Sequence, residues 1–489
     1  AQMTKLNQAN LDRIPVPTPG YDRTALRGGI VHFGLGNFHR AHQAVYLDRL
    51  MTLGQGQDFA IVGAGVMPSD ARMRDVLAGQ DYLYTVVEQS AEASQARVIG
   101  AMIDHLPAAD GAAIVARLAD PAIRIASLTI TEGGYFIDAK TGHFDPAHPA
   151  IATDGASPAA PKTVFGMLVA GLKARRDAGV PPFTVMSCDN IPHNGHVTRE
   201  AVVETARLSD PALADWIAAN VAFPNGMVDR ITPATSHRER RMIREDFGVE
   251  DASPVFAEDF IQWVLEDDFP QGRPPLEQVG VEFVDDVTPW EMMKIRILNG
   301  GHAVIAYPSG LMDIHFVHEG MQNPLVRAFL DKVEAEEIIP VVPPVPGTDL
   351  NAYYAKVAER CANPKIGDTI RRLCLDGSNR QPKFIIPTIA DRLARDLPVE
   401  GLALESALWC RYCAGTTDSG AEIAPNDPNW DRLTAAAQAA RSEPAAWLGM
   451  AEIYGETGSD PRLTEPFARW MAMLWDQGTE ATLRHYLRG

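Results

Sequence analysis

At 489 residues, with 46% hydrophobic and 22% charged side chains, the chain is long enough for two or three domains and has a globular composition. Its net charge of −19 repels nucleic acid and anionic membrane, and no apolar run approaches the roughly 20 residues that span a bilayer. The opening Ala1-Gln2-Met3-Thr4-Lys5 lacks the apolar core of a secretory signal and the five cysteines are odd in number, so a cytoplasmic protein with reduced thiols is expected.

Over the first half, short β-branched runs alternate with helical patterns, which predicts a parallel sheet with helices on its faces. The first run, residues 29–33, breaks at Gly34-Leu35-Gly36 and leads into a helical pattern over 39–53. Further runs follow at 59–63, 82–87, 97–99, 123–131 and 183–187. The last two end in Thr131-Glu132-Gly133-Gly134 and Ser187-Cys188-Asp189-Asn190, where open α/β sheets bind ligands. From about residue 288 long helical patterns take over, at 290–305, 324–338, 350–360, 385–394 and 402–414, with a proline-rich connector at 339–347. The expected architecture is α/β: a Rossmann-like dinucleotide-binding domain over 1–285 and a mainly helical substrate-binding and catalytic domain over 286–489.

Phe33-Gly34-Leu35-Gly36-Asn37-Phe38-His39-Arg40 follows an apolar strand and opens a helix. There the glycines permit a tight turn and the approach of a pyrophosphate to backbone N–H groups. His39 stands where a third glycine would complete the fingerprint, and an ordinary strand-to-helix turn is the alternative. Phe33, Gly34, Gly36, Asn37, Phe38 and Arg40 are the cofactor candidates here, with Arg40 placed to neutralise phosphate; Thr131 and Glu132 join them from a strand end. Beyond the second run Asp70 is suited to accept ribose hydroxyls and repel a 2′-phosphate, favouring NAD over NADP. It lies later than the usual spacing and reads equally well as an N-cap for a helix at 71–77.

The stretch from Trp290 to His302 carries the chemistry. In a regular helix Glu291 and His302 lie within about 80° of Lys294, and Asn299 widens the arc to about 140°. A lysine removes a hydroxyl proton as hydride leaves carbon if burial pulls its pKa down from about 10.4. Amide and imidazole groups, here Asn299, His302 and the strand-end Asn190, can bond a developing alkoxide. The alternative is a solvated face with an i,i+3 Glu–Lys pair.

The pattern Lys294-x4-Asn299-x2-His302 resembles the signature of the polyol-specific long-chain dehydrogenases. Residues 33–42, 129–135 and 184–190, and the string Phe223-Pro224-Asn225-Gly226-Met227-Val228-Asp229-Arg230-Ile231-Thr232-Pro233, carry the same resemblance, which runs from about residue 5 to the end. Within that family the chain is most similar to the members that interconvert D-mannitol and D-fructose with NAD. The resemblance implies that Lys294 is the general base, that Asn190 and Asn299 cradle the alkoxide, and that His302 orients the substrate oxygen. It implies that Glu291 gates proton exchange and that Asp229, Arg372 and Arg380 bind substrate hydroxyls. Arg380 departs from a commoner lysine, which leaves D-arabinitol, D-sorbitol or a hexuronate/hexonate pair as alternative substrates. Ser69-Asp70 stands where a double acid is often seen, which softens discrimination against NADP.

Two rival readings carry less. The HxxH pairs His39/His42, His193/His196 and His315/His318 lack a completing Cys or Glu, so no metal is expected, and Cys410-x2-Cys413 reads as buried thiols in a core helix. A dinucleotide-binding sensor without turnover would not require the Lys294 set. The partner expected is a small polyol or ketose, and the chain is expected to work as a monomer.

Overall fold

The computed structural model describes residues 3–489; Ala1 and Gln2, part of the opening read above, lie outside them. The chain forms two compact units, one running to Thr288 and the other from Pro289 to Gly489.

The first unit is built on a five-stranded parallel sheet in the order Met102–Leu106, Ala60–Ala64, Gly28–Phe33, Ile125–Leu128, Thr184–Ser187. Numbered in chain order the five strands run 3-2-1-4-5, a doubly wound arrangement with its switch point between Gly28–Phe33 and Ile125–Leu128. Side chains alternate across the strands, so Ile30 enters one core while Val31 and Phe33 enter another on the opposite face. Both faces are covered, and for that reason the strands are apolar runs rather than alternating patterns.

The structure corrects the predicted elements at several points. Residues 82–87 and 97–99 do not join the parallel sheet. They fall in Tyr84–Gln89 and Ser94–Ile99, an antiparallel pair extended by Val255–Glu258. Residues 90–93 are the whole connection, far too short for the dozen or so residues a parallel crossover needs. Met102–Leu106 went unread because Asp104 and His105 interrupt its apolar pattern. The helix expected over 39–53 is two helices, Asn37–Ala41 and Gln43–Thr52, broken at His42 (φ −119°, ψ −92°).

The second unit is almost wholly helical. Its core helix Glu400–Cys413 is buried along nearly its whole length and packs on Pro461–Arg488. All five cysteines of the chain are free and buried, Cys410 and Cys413 in that helix. The pattern over 290–305 is not one regular helix: Thr288–Met293 is α-helical, Lys294–Asn299 π-helical and Gly300–Leu311 α-helical again. A second π segment, Glu334–Ile338, closes the pattern read over 324–338. Among the described residues no helix is long and apolar enough to cross a membrane.

Candidate active site

In the first unit the cofactor candidates gather at the carboxyl edge of the parallel sheet, beside the switch point. Gly34 leaves its strand with φ +116°, and a Cβ there would lie 2.2 Å from the carbonyl oxygen of Thr129. Only glycine meets both demands. Gly36 caps Asn37–Ala41, and a Cβ added to it would meet nothing within 4 Å. The space over that backbone is open, so the turn fits a dinucleotide phosphate.

His39, at the third-glycine position, is fully buried and stacks on His32 of the first strand, with centroids 3.4 Å apart and planes 8° from parallel. Where a third glycine elsewhere lets the helix and strand backbones approach, here two flat rings fill the space between them. His32 is held by Ser127 Oγ at 2.6 Å and Thr129 Oγ1 at 2.7 Å. Burial keeps this cluster neutral: it lowers His39 to about 3 and His105 to about 4, and holds His32 well below the ordinary range.

Arg40 is fully buried and braces the turn from behind. Its guanidinium donates to the Ser253 carbonyl and to Asn37 Oδ1, both at 2.8 Å, and lies over the Tyr84 ring. The Asn37 amide donates to the Pro233 carbonyl at 3.2 Å and to Thr235 Oγ1 at 3.0 Å. Phe33 lies in the core, and Phe38 stacks on His42 at 4.8 Å. These residues therefore present backbone to the turn. Asp70 is the first residue of the helix Asp70–Ala78, not a cap before it. Its Oδ2 accepts from the N–H groups of Val66 and Met67 at 2.8 and 2.9 Å, which leaves Oδ1 pointing away from that pairing.

Thr131 and Glu132 are exposed beyond Ile125–Leu128. Thr131 has φ +62°, a conformation a β-branched residue rarely adopts. What holds it is Asp189, which sequence reasoning passed over for its neighbour Asn190. The Asp189 carboxylate accepts from the N–H groups of Ile130 and Thr131, each at 3.0 Å, and from the Tyr135 hydroxyl at 2.5 Å. One side chain thus ties two strand exits together across the edge; its position at a polar strand end was the available signal. Asn190 itself is exposed, and Asp229, 7% exposed, ends Gly226–Asp229.

In the second unit the π segment rearranges the candidate base and its neighbours. Widening closure from i→i+4 to i→i+5 lowers the advance per residue from about 100° to about 80°. Asn299 then lies about 40° from Lys294 and His302 about 20°, with Glu291 about 60° round, a tighter face than a regular helix provides. Lys294 is 6% exposed and Glu291 8%. The opposite side is anchored by Arg296, which donates to Asp391 at 2.9 Å. Gly300 and Gly301 admit close neighbours: added Cβ atoms would lie 3.1 Å from the Phe384 carbonyl and 2.7 Å from Glu334 Oε2. Phe384 ends Gly377–Phe384, which also carries Arg380. Arg380 Nη1 donates to the Arg372 carbonyl at 3.1 Å, and Arg372 pairs with Asp368 through two 2.6 Å contacts. The two arginines are thus neighbours, on a helix pair packed near the π segment. Among the described residues no group of three or more His, Cys, Asp or Glu is arranged to hold a metal.

Residues 28–278 match the mannitol dehydrogenase Rossmann domain, and residues 286–475 match the mannitol dehydrogenase C-terminal domain. The chain is 59% identical over 473 residues to a mannitol 2-dehydrogenase of Cereibacter sphaeroides, covering 96% of this chain and 99% of that one. It is 44% identical to a Pseudomonas fluorescens mannitol 2-dehydrogenase solved with NAD and D-mannitol, covering 99% and 100% of the two chains with a TM-score of 0.84. A substrate-free D-sorbitol dehydrogenase is 35% identical over 98% of this chain and all of that one, with a TM-score of 0.93.

Proposed function

Because the chain belongs to the mannitol dehydrogenase family, we propose that it interconverts D-mannitol and D-fructose with NAD, using Lys294 as general base and no metal. The observation that carries this reading is the π-helical face that aligns buried Lys294 with Asn299 and His302. NAD, when bound, supplies the hydride acceptor. Gly34, Gly36, Asp70, Thr131 and Glu132 would hold it, with Asp70 favouring a free ribose diol over a 2′-phosphate.

Lys294 Nζ takes the hydroxyl proton as the C–H bond breaks. Its burial keeps bulk water away from the amine that takes the proton. Asn299 and His302 hydrogen-bond the alkoxide as it forms, so their dipoles act where charge develops. Glu291, one turn before the lysine, relays the proton onward. By family resemblance Asn190 also serves the alkoxide, and Asp229, Arg372 and Arg380 hold the remaining hydroxyls. D-Sorbitol is the runner-up substrate, favoured by the similarity to a D-sorbitol dehydrogenase; D-arabinitol and hexonates follow.

The test is cofactor reduction with D-mannitol, D-arabinitol, D-sorbitol and a hexonate, with NAD and with NADP, before and after exhaustive EDTA treatment. D-Mannitol with NAD is expected to be fastest and EDTA to be without effect. Lys294→Ala should lower kcat at least 10²-fold with the NAD Kd unchanged. An equal loss of NAD binding would make Lys294 structural, and loss of activity to EDTA would sink the metal-free reading.

A further inference from the structure

Apart from the cofactor edge, the first unit carries a groove walled by charge. Helix His237–Phe247 is fixed by a capping box between Ser236 and Glu239 and by the fully buried Ile243. Helical spacing of three, four and seven sets His237, Arg240, Arg241 and Arg244 on one stripe. That stripe lines a groove of about 580 Å³, with Glu250 and Asp251 on the facing side.

Arg240 Nη2 lies 3.3 Å from His237 Nδ1, and among the described residues none of the three guanidinium groups holds a carboxylate. Elsewhere in the same unit Arg74, Arg97, Arg117 and Arg124 each pair with an aspartate. Asp251 makes no ion pair with the stripe. It is 3% exposed, and it accepts from Thr85 N–H at 2.7 Å, Thr85 Oγ1 at 2.6 Å, Gln80 Nε2 at 3.0 Å and Ser253 N–H at 2.8 Å. Glu250 is left as the exposed acid on the rim. Three guanidinium groups lining one groove, with no carboxylate paired to them, make a local site for an anion in a chain of net charge −19.

We propose that this groove is a second anion site, binding a phosphate-bearing small molecule through Arg240, Arg241 and Arg244. Guanidinium forks match phosphate oxygens in paired hydrogen bonds, and a phosphate group, with three free oxygens and up to two charges, can take forks from more than one arginine at once. The groove has room for one or two phosphate groups with a small carbon skeleton. A polynucleotide is repelled by the rest of the surface. The segments leading into the groove also brace the cofactor turn: Asn37 bonds Pro233 and Thr235 just before the helix, and Arg40 bonds Ser253 just after Asp251.

Titration calorimetry on the full chain with inorganic phosphate, inorganic pyrophosphate and a hexose bisphosphate tests this at low and high salt. At least one probe should bind at low salt, more weakly at high salt. The order of the three distinguishes free phosphate from a sugar-borne group. Arg240→Gln, Arg241→Gln and Arg244→Gln should each weaken binding about ten-fold or more. Arg238→Gln, on the same helix outside the groove lining, should leave it unchanged. Saturating NAD should not displace the probe, and polyol turnover at saturating substrate and cofactor should be the same in all four variants. Equal weakening by Arg238→Gln would reduce the site to a diffuse field. One-for-one displacement by NAD would make it part of the cofactor site, and silence of all three probes at low salt would remove it. Turnover is read separately, so none of these outcomes bears on the Lys294 assignment.

Discussion

His39 shows how a single position can depart from a sequence fingerprint and still be filled by well-packed groups. A third glycine lets helix and strand approach closely; here two buried imidazoles stacked at 3.4 Å fill the space between them instead. Restoring the glycine is therefore harmful. His39→Gly should leave a ring-sized cavity beside His32 and place a glycine within a helix, lowering stability by about 3 kcal/mol. Thermal unfolding checks this; an unchanged or raised Tm would mean the stack contributes nothing. The sequence showed that a histidine replaced the glycine but not what that histidine packs on, because His32 and His39 meet only once the helix folds back on the strand. Asp189 teaches the same lesson from the other side. It was visible in a strand-end string, but its hydrogen bonds go to residues about 60 positions earlier in the chain.

At the scale of elements, the π segment decides which polar groups share a face. A regular helix over 290–305 would leave Asn299 about 140° from Lys294, whereas the wider π turn brings it to about 40°. A π segment of this kind is an α-helix with one residue inserted, so the insertion can be undone. Deleting Ile295 should return the segment to α-helix and keep the flanking helices in phase. Deleting Val304, inside Gly300–Leu311, should rotate everything beyond it by about 100°. The first deletion should yield a folded protein with a modest fall in Tm and the second an insoluble or much less stable one, as circular dichroism and soluble yield will report. Equal damage from both would argue against the π assignment. Periodicity announced the helix and its polar face, but not the extra residue in its turn, since a pattern of apolar positions does not distinguish an α turn from one widened by a single residue.

Across the whole molecule the two units respond to pH in opposite senses. In the first, burial lowers His39 to about 3 and His105 to about 4, below the unfolded value near 6.5. Between those values the unfolded chain binds more protons, so this unit loses stability as pH falls from about 6.5 towards 4 and 3. In the second, burial raises Glu337 to about 7 and Glu405 to about 8, above the ordinary carboxylate value. From about pH 4.5 upward the folded unit there binds more protons, so it loses stability as pH rises towards 7 and 8. Hydrogen exchange followed by mass spectrometry should show the Rossmann unit opening more readily at pH 5 and the helical unit at pH 8.5. The same unit being weaker at both pH values would refute the assignment. The sequence by itself determined most strands of the parallel sheet, the glycine turn, the Lys294-x4-Asn299-x2-His302 signature and the α/β-then-helical layout, because apolar periodicity and local motifs are written in neighbouring residues. Only the tertiary structure decided which strands share a sheet, what fills the third-glycine position, how far the π turn rotates Asn299, and which buried acids and histidines are neutral. Each of these depends on contacts between residues far apart in the chain and on the desolvation that such contacts impose.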